Sequence, residues 1–226
     1  MQIDITNRPG NSAARVSLDT GETITAEGGA MIAMSGNVSV ETTTQKRDSG
    51  SILGALKRMV TGESFFLNHF TPSGEGGEVY FGTVMAGDMM EYQLDGPGLL
   101  VQGGSYVASA PSVNMDIQWQ GFGKALFSGE SMFLIHLSGN GPIIFNSFGA
   151  IYPIQVNGEY IVDTGHIVAF EESLNYVIEK AGGSWLSAIL GGEGLVCKFQ
   201  GQGTVWCQSH NAGSFGQALG PMLKHQ

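Results

Sequence analysis

One short pattern occurs three times in this chain: a glycine, a small or polar residue, then an apolar-X-Ala step. It reads Gly29-Ala30-Met31-Ile32-Ala33, then Gly104-Ser105-Tyr106-Val107-Ala108, then Gly165-His166-Ile167-Val168-Ala169. A second marker keeps step with it, as Gly62-Glu63-Ser64 before FFLNHF, Gly129-Glu130-Ser131 before MFLIHL and Gly192-Glu193-Gly194 before LVCKF. Self-similarity of this kind constrains a fold before local propensity does, because each copy is one supersecondary unit that buries its apolar face against a neighbour.

Each copy reads in the same order. A strand runs into the glycine step (ETITAEGGAMIAM, GLLVQGGSYVAS, EYIVDTGHIVAF), and a second strand follows (NVSVETT, VNMDIQW, LNYVIEK). The second strand alternates apolar and polar residues, the period of a half-buried β-strand. Next comes a glycine-bounded apolar insert, then a run predicted to form a hairpin through TPSGEGG, SGNG or QGQG. A last strand, MMEYQLDG or IYPIQVNGE, closes the first two copies, and AARVSLDTGE near the N-terminus matches it, so Leu18, Leu94 and Val156 become equivalent. The expectation is an all-β protein with internally triplicated antiparallel sheets in a barrel, prism or sandwich, pseudo-threefold, with two or three short helical inserts. Its single domain spans residues 1–211 as copies 23–96, 97–159 and 160–211, the last completed by residues 12–22. An irregular tail covers 212–226.

Composition narrows the function. Ten basic residues stand against 20 acidic ones, a formal charge of −10. Nucleic acid and anionic lipid are bound through basic surface, and here only Lys46-Arg47 and Lys57-Arg58 cluster, so nucleic-acid binding is not expected. No apolar run is long enough for a transmembrane helix, and the N-terminal residues lack the pattern of a secretory signal, so a cytoplasmic location is expected. Charged residues are only 13% of the chain, low for a fully solvated monomer, which points to self-association as a homo-oligomer. The helical faces of the inserts, with Ile52, Leu53 and Leu56 in the first and Trp185, Leu186, Ile189 and Leu190 in the last, are the expected interaction surface. Peripheral membrane contact is the weaker use of these residues.

Several of these elements together resemble a known family. EGGAMIAMSGNVSVET, the GxLxxxxKRxxTGESFF element, VYFG and FNSFGAIYPIQVNGEYIVDTG are similar to the mitochondrial-biogenesis family named for altered inheritance of mitochondria, over roughly residues 2–211. The resemblance implies an all-β fold related to the trp RNA-binding attenuation protein, with internal duplication and no established enzymatic activity. It also implies that eukaryotic members associate with the mitochondrial inner membrane, and that this chain is a prokaryotic member. It supplies no catalytic or ligand-binding residues to carry over.

Chemistry-bearing residues are few. His69 and His136 each follow the marker glutamates Glu63 and Glu130 by six residues, an even spacing that puts each pair on one sheet face, whereas Phe199 stands at that distance from Glu193. These are candidate metal ligands, although hydrogen-bonding histidines and turn-capping glutamates explain them more simply. Cys197 and Cys207 flank QGQG, and a hairpin there would set them nearly opposite one another as buried thiols. There is no GxSxG elbow, and the Gly-rich stretches lack the lysine of a phosphate loop, so no cofactor and no catalytic residues are expected. The leading expectation is a non-enzymatic scaffold or protein-interaction module. A metal- or small-ligand-binding β-barrel, with enzymatic activity in one version, ranks second, and RNA binding a distant third.

Overall fold

The computed structural model describes residues 1–44, 65–118, 133–180 and 195–223. These contain seventeen strands: β1 (Gln2–Thr6), β2 (Ala13–Leu18), β3 (Ile24–Glu27), β4 (Met31–Met34), β5 (Val38–Thr44), β6 (Phe66–Pro72), β7 (Gly77–Phe81), β8 (Met89–Leu94), β9 (Leu99–Gln102), β10 (Tyr106–Ser109), β11 (Val113–Gln118), β12 (Leu134–Gly139), β13 (Gly141–Asn146), β14 (Ile151–Asp163), β15 (Ile167–Glu171), β16 (Asn175–Lys180) and β17 (Leu195–Gln208). The expected helical inserts, with Ile52, Leu53, Leu56, Trp185, Leu186, Ile189 and Leu190, lie outside the described residues, as do Glu63, Glu130 and Glu193.

The strands form antiparallel sheets in the orders β1-β2-β7-β4, β5-β6-β3-β10-β13-β8 and β11-β12-β9-β15-β17-β14, with β16 also on β17. One pairing scheme occurs in three places. The first strand of a segment pairs with its last: β2 with β7, β8 with β13, and the start of β14 with the end of β17. Within those pairs Leu18 faces Gly77, Leu94 faces Gly141 and Val156 faces Gly203, the equivalence read from the sequence. The strand after each glycine step pairs with that same last strand, and the register slips at one place in all three, between Met31 and Ala33, Tyr106 and Ala108, and Ile167 and Ala169.

The N-terminal strand corrects the expected offset. Residues 12–22 do not complete the third copy: β2 lies between β1 and β7, in the first. The scheme therefore divides the chain as 13–81, 89–146 and 151–208. The reason is that each closing strand turns directly into the next segment and pairs with that segment's last strand, not with its own.

A second correction concerns the hairpins. β6 and β7 sit in different sheets, as do β12 and β13, and Leu195–Gln208 is one 14-residue strand through QGQG. Glycine here carries the chain from one sheet to the next, or along one continuous strand, instead of reversing it. A Cβ at Gly77 would come within 2.8 Å of Val38 Cγ2, and one at Gly203 within 2.7 Å of Ser173 Oγ, so residues at or just before the start of another strand crowd both glycines. Cys197 and Cys207 are consequently far apart along one strand, facing Val162 and Tyr152.

Three apolar cores follow the three segments. The first gathers Val16, Ile24, Phe70 and Phe81 and borrows Val107, Ala108 and Ile144 from the second segment; the third gathers Phe170, Phe199 and Val205 and borrows Leu100 and Leu134. The middle core, around Leu99, Tyr106, Ile135 and Phe145, also takes Leu67 from the first segment and Val168 and Trp206 from the third. The tail is not wholly irregular: Ala212–Leu219 forms helix α1, because Asn211 caps it by accepting from the Ser214 N–H at 3.1 Å and Phe215 packs edge-on to Phe148.

Candidate interaction edges

The segments are joined by adding a strand to a sheet. β10 pairs with β3 (Ala108↔Ala26, Ser109↔Thr25), and β15 pairs with β9 (Ala169↔Val101, Phe170↔Leu100). Two strands of the same kind are left at the ends. β4, the counterpart of β10 and β15, ends its sheet, and so does β14, whose residues 159–163 are the counterpart of β3 and β9. Burial follows the pairing. Val107 and Val168 are 1% and 0% exposed, but the matching Ile32 is 60% exposed. Thr25 and Leu100 are 8% and 5% exposed, but the matching Ile161 is 54% exposed. Met31, Met34 and Tyr160 are exposed as well, where their counterparts Tyr106, Ser109 and Leu99 are buried.

Edge strands of soluble proteins are usually blunted by charge. β1, β5, β8, β11, β14 and β16 each carry at least one carboxylate. Met31–Met34 carries no polar side chain at all. The sequence held this signal in the MIAM run, but its exposure depends on which segments have neighbours, which only the topology reveals.

The histidines do not share an environment. His69, on β6, lies between two hydroxyls, with Nδ1 2.9 Å from Thr25 Oγ1 and Nε2 2.8 Å from Thr43 Oγ1. His136, on β12, is 3.2 Å from Glu172 through Nε2. Glu172 also accepts the Gly98 N–H at 2.7 Å, and His136 holds its carboxyl below the ordinary range. The third equivalent position is Lys198, not Phe199: Lys198 pairs with Val177 and Ile161 as His136 pairs with Asp116 and Leu100. Lys198 in turn pairs with Glu159 at 2.8 Å. Two imidazoles and an ammonium with three different partners are not a repeated ligand set. Among the described residues, no three of His, Cys, Asp and Glu converge as a metal site.

Other polar groups have structural settings. Asp88, almost fully buried, accepts from Arg8 Nε at 2.8 Å, Arg8 Nη2 at 2.9 Å and Ser12 Oγ at 3.0 Å. Burial alone would raise its carboxyl, but these donors hold it below the ordinary range and tie the chain after β1 to the start of β8. Glu27, at the end of β3, is pushed up to about 7 by burial. Burial likewise raises the thiols of Cys197 to about 12 and Cys207 to about 11, so both are held in the neutral form at neutral pH. An open cleft of about 590 Å³ between the first two segments is lined by Glu22, Thr23, Glu91, Gln93 and Ser112. Its Glu22 already pairs with the N-terminal ammonium.

Matches to known proteins span nearly the whole chain. A family model described as mitochondrial biogenesis AIM24 matches residues 3–210. The uncharacterized protein M6_Spy0233 of Streptococcus pyogenes serotype M6 is 30% identical over 209 residues, covering 90% of this chain and 84% of that protein. The crystal structure of protein SPYM3_0169 from Streptococcus pyogenes superposes with a TM-score of 0.82 at 26% identity, covering 98% of this chain and 99% of that one. No helix among the described residues is long and apolar enough to cross a membrane.

Proposed function

This chain belongs to the mitochondrial biogenesis AIM24 family, and from that premise we propose that it works as a non-enzymatic, self-associating interaction module. The observation that carries this reading is the contrast between joined and open ends. Apolar side chains that are buried wherever one segment meets another are exposed at Met31–Met34 and around Ile161. Exposed contiguous apolar surface of this kind marks contact sites. The ion pairs Met1–Glu22, Arg8–Asp88, Arg15–Glu78, His136–Glu172 and Lys198–Glu159, by comparison, are separate two-partner contacts. Analytical ultracentrifugation at micromolar concentration is the direct test. The expected particle is a multiple of 23.8 kDa. A strict monomer that copurifies with no other protein would overturn the proposal.

A further inference from the structure

We infer that copies of this chain join head to tail by sheet extension, with β4 of one copy pairing antiparallel with residues 159–163 of the next. This rests on the self-association reading above and names its surface. The occupant of each open edge follows from the two joints already inside the chain, which always bring together the same two kinds of strand. One kind follows the glycine step (β10, β15) and the other precedes it (β3, β9). Only one strand of each kind lacks such a partner among the described residues: β4 at the start and the end of β14 at the finish.

The joints also fix the register. Ala108 faces Ala26 and Ala169 faces Val101, so Ala33 should face Val162. Ser109 faces Thr25 and Phe170 faces Leu100, so Met34 should face Ile161. The side chains fit the same logic. The first core borrows Val107 from its neighbour, and the third core would borrow the matching Ile32 from the next copy. The middle core borrows Leu67 and the third Leu134; in the next copy the matching Val196, only half-buried here, would be lent to the first core. Within one chain the first and third segments pair with different strands of the second, β10 and β9, and their remaining edges stay exposed. The two edges are different surfaces, so the contact is heterologous. It closes into a ring if the rotation per joint divides a full turn and runs into a filament if it does not.

Disulfide trapping separates the outcomes. Full-length Met34→Cys and Ile161→Cys proteins, each pure, are mixed and oxidised, then run without reductant; facing residues on paired strands fall within disulfide reach. The expected result is a covalent dimer in the mixture, in at least tenfold excess over a Met34→Cys and Tyr160→Cys mixture, whose side chains point to opposite faces. A chain carrying both Met34→Cys and Ile161→Cys should give a ladder of head-to-tail species. If the double variant forms only an intrachain disulfide and the mixture no dimer, the edges meet within one chain and the inference is wrong. If no disulfide forms but the particle still exceeds 23.8 kDa, self-association stands and this surface is wrong. A monomer with no disulfide removes both. As a check independent of cysteine chemistry, Ile32→Lys and Ile161→Lys should each reduce the particle to a folded monomer; an intact assembly in both would also overturn the assignment.

Discussion

Val107 and Ile32 occupy the same place in the same five-residue pattern, and the protein treats them oppositely. Val107 sits in a joint between two segments and is sealed, whereas Ile32 sits at an end and faces outward. Nothing in the local residues separates them, since GSYVA and GAMIA prescribe the same strand, the same register slip and the same apolar content. The difference is supplied by the neighbour: β10 has β3 beside it, and β4 has no described strand in that place. Burial here is a property of the joint rather than of the strand.

The sharpest way to break this comparison is to make the same change on both sides of it. Val107→Ser removes two buried methyls and inserts a hydroxyl into a joint, which should cost about 2–4 kcal/mol of folding stability. Ile32→Ser should change the folding of the isolated subunit by no more than about 0.5 kcal/mol, the usual range for an exposed site, while weakening assembly. Denaturant unfolding at low protein concentration, paired with sedimentation, measures both. Equal losses of folding stability would show that β4 is already covered within the chain.

The sequence carried the strand-rich, antiparallel class and the spacing that sets Leu18, Leu94 and Val156 at matching positions of three strand pairs, because these depend on local pattern and spacing. It misled where two different chain paths use the same residues. A glycine-rich turn between β-branched runs is a hairpin signal, yet Gly77 and Gly141 open strands that lie in a different sheet from the strand before them, and Gly203 lies inside one continuous strand. Residues 12–22 matched the closing strands correctly, but a match in pattern does not say which sheet receives the strand. Counting six residues from Glu193 arrives at Phe199, whereas the pairing register selects Lys198 as the position that matches the histidines. Asp88 with Arg8 could not be read at all, since the two lie 80 residues apart and neither stands in a motif.

A smaller effect tests the comparison one turn earlier, where Glu27, Gln102 and Asp163 precede the three glycine steps. Asp163 accepts the Gly165 N–H at 2.8 Å, whereas burial raises Glu27 to about 7. The folded state therefore holds the Glu27 proton more tightly than the unfolded chain, whose carboxyl titrates near the ordinary value. That contribution to stability is fully present below about pH 4.5 and is lost as pH rises through about 7. Glu27→Gln, which copies the residue of the second segment, should stabilise the protein by about 1–3 kcal/mol at pH 8 and leave it nearly unchanged at pH 4. Difference unfolding curves of variant and wild type across that range give the sign directly. A variant less stable at pH 8 would mean that the ionised carboxylate is satisfied in the fold.

The smallest effect is expected where the segments match in position but not in chemistry. His69 bridges two threonines, His136 meets a carboxylate and Lys198 meets another, so each side chain serves its own three-strand neighbourhood. The His136–Glu172 and Lys198–Glu159 pairs are partly solvated, and pairs of that kind contribute about 0–1 kcal/mol. His136→Gln and Lys198→Gln should each fall within that range, and their effects should add, because no partner is shared. His69→Gln retains one hydrogen bond to a threonine and should cost no more. Melting curves with and without added zinc complete the test. A zinc-induced stabilisation of the wild type that vanishes in both His69→Gln and His136→Gln would tie the two histidines into one site, and the three positions would then have to be read as a functional set despite their different partners.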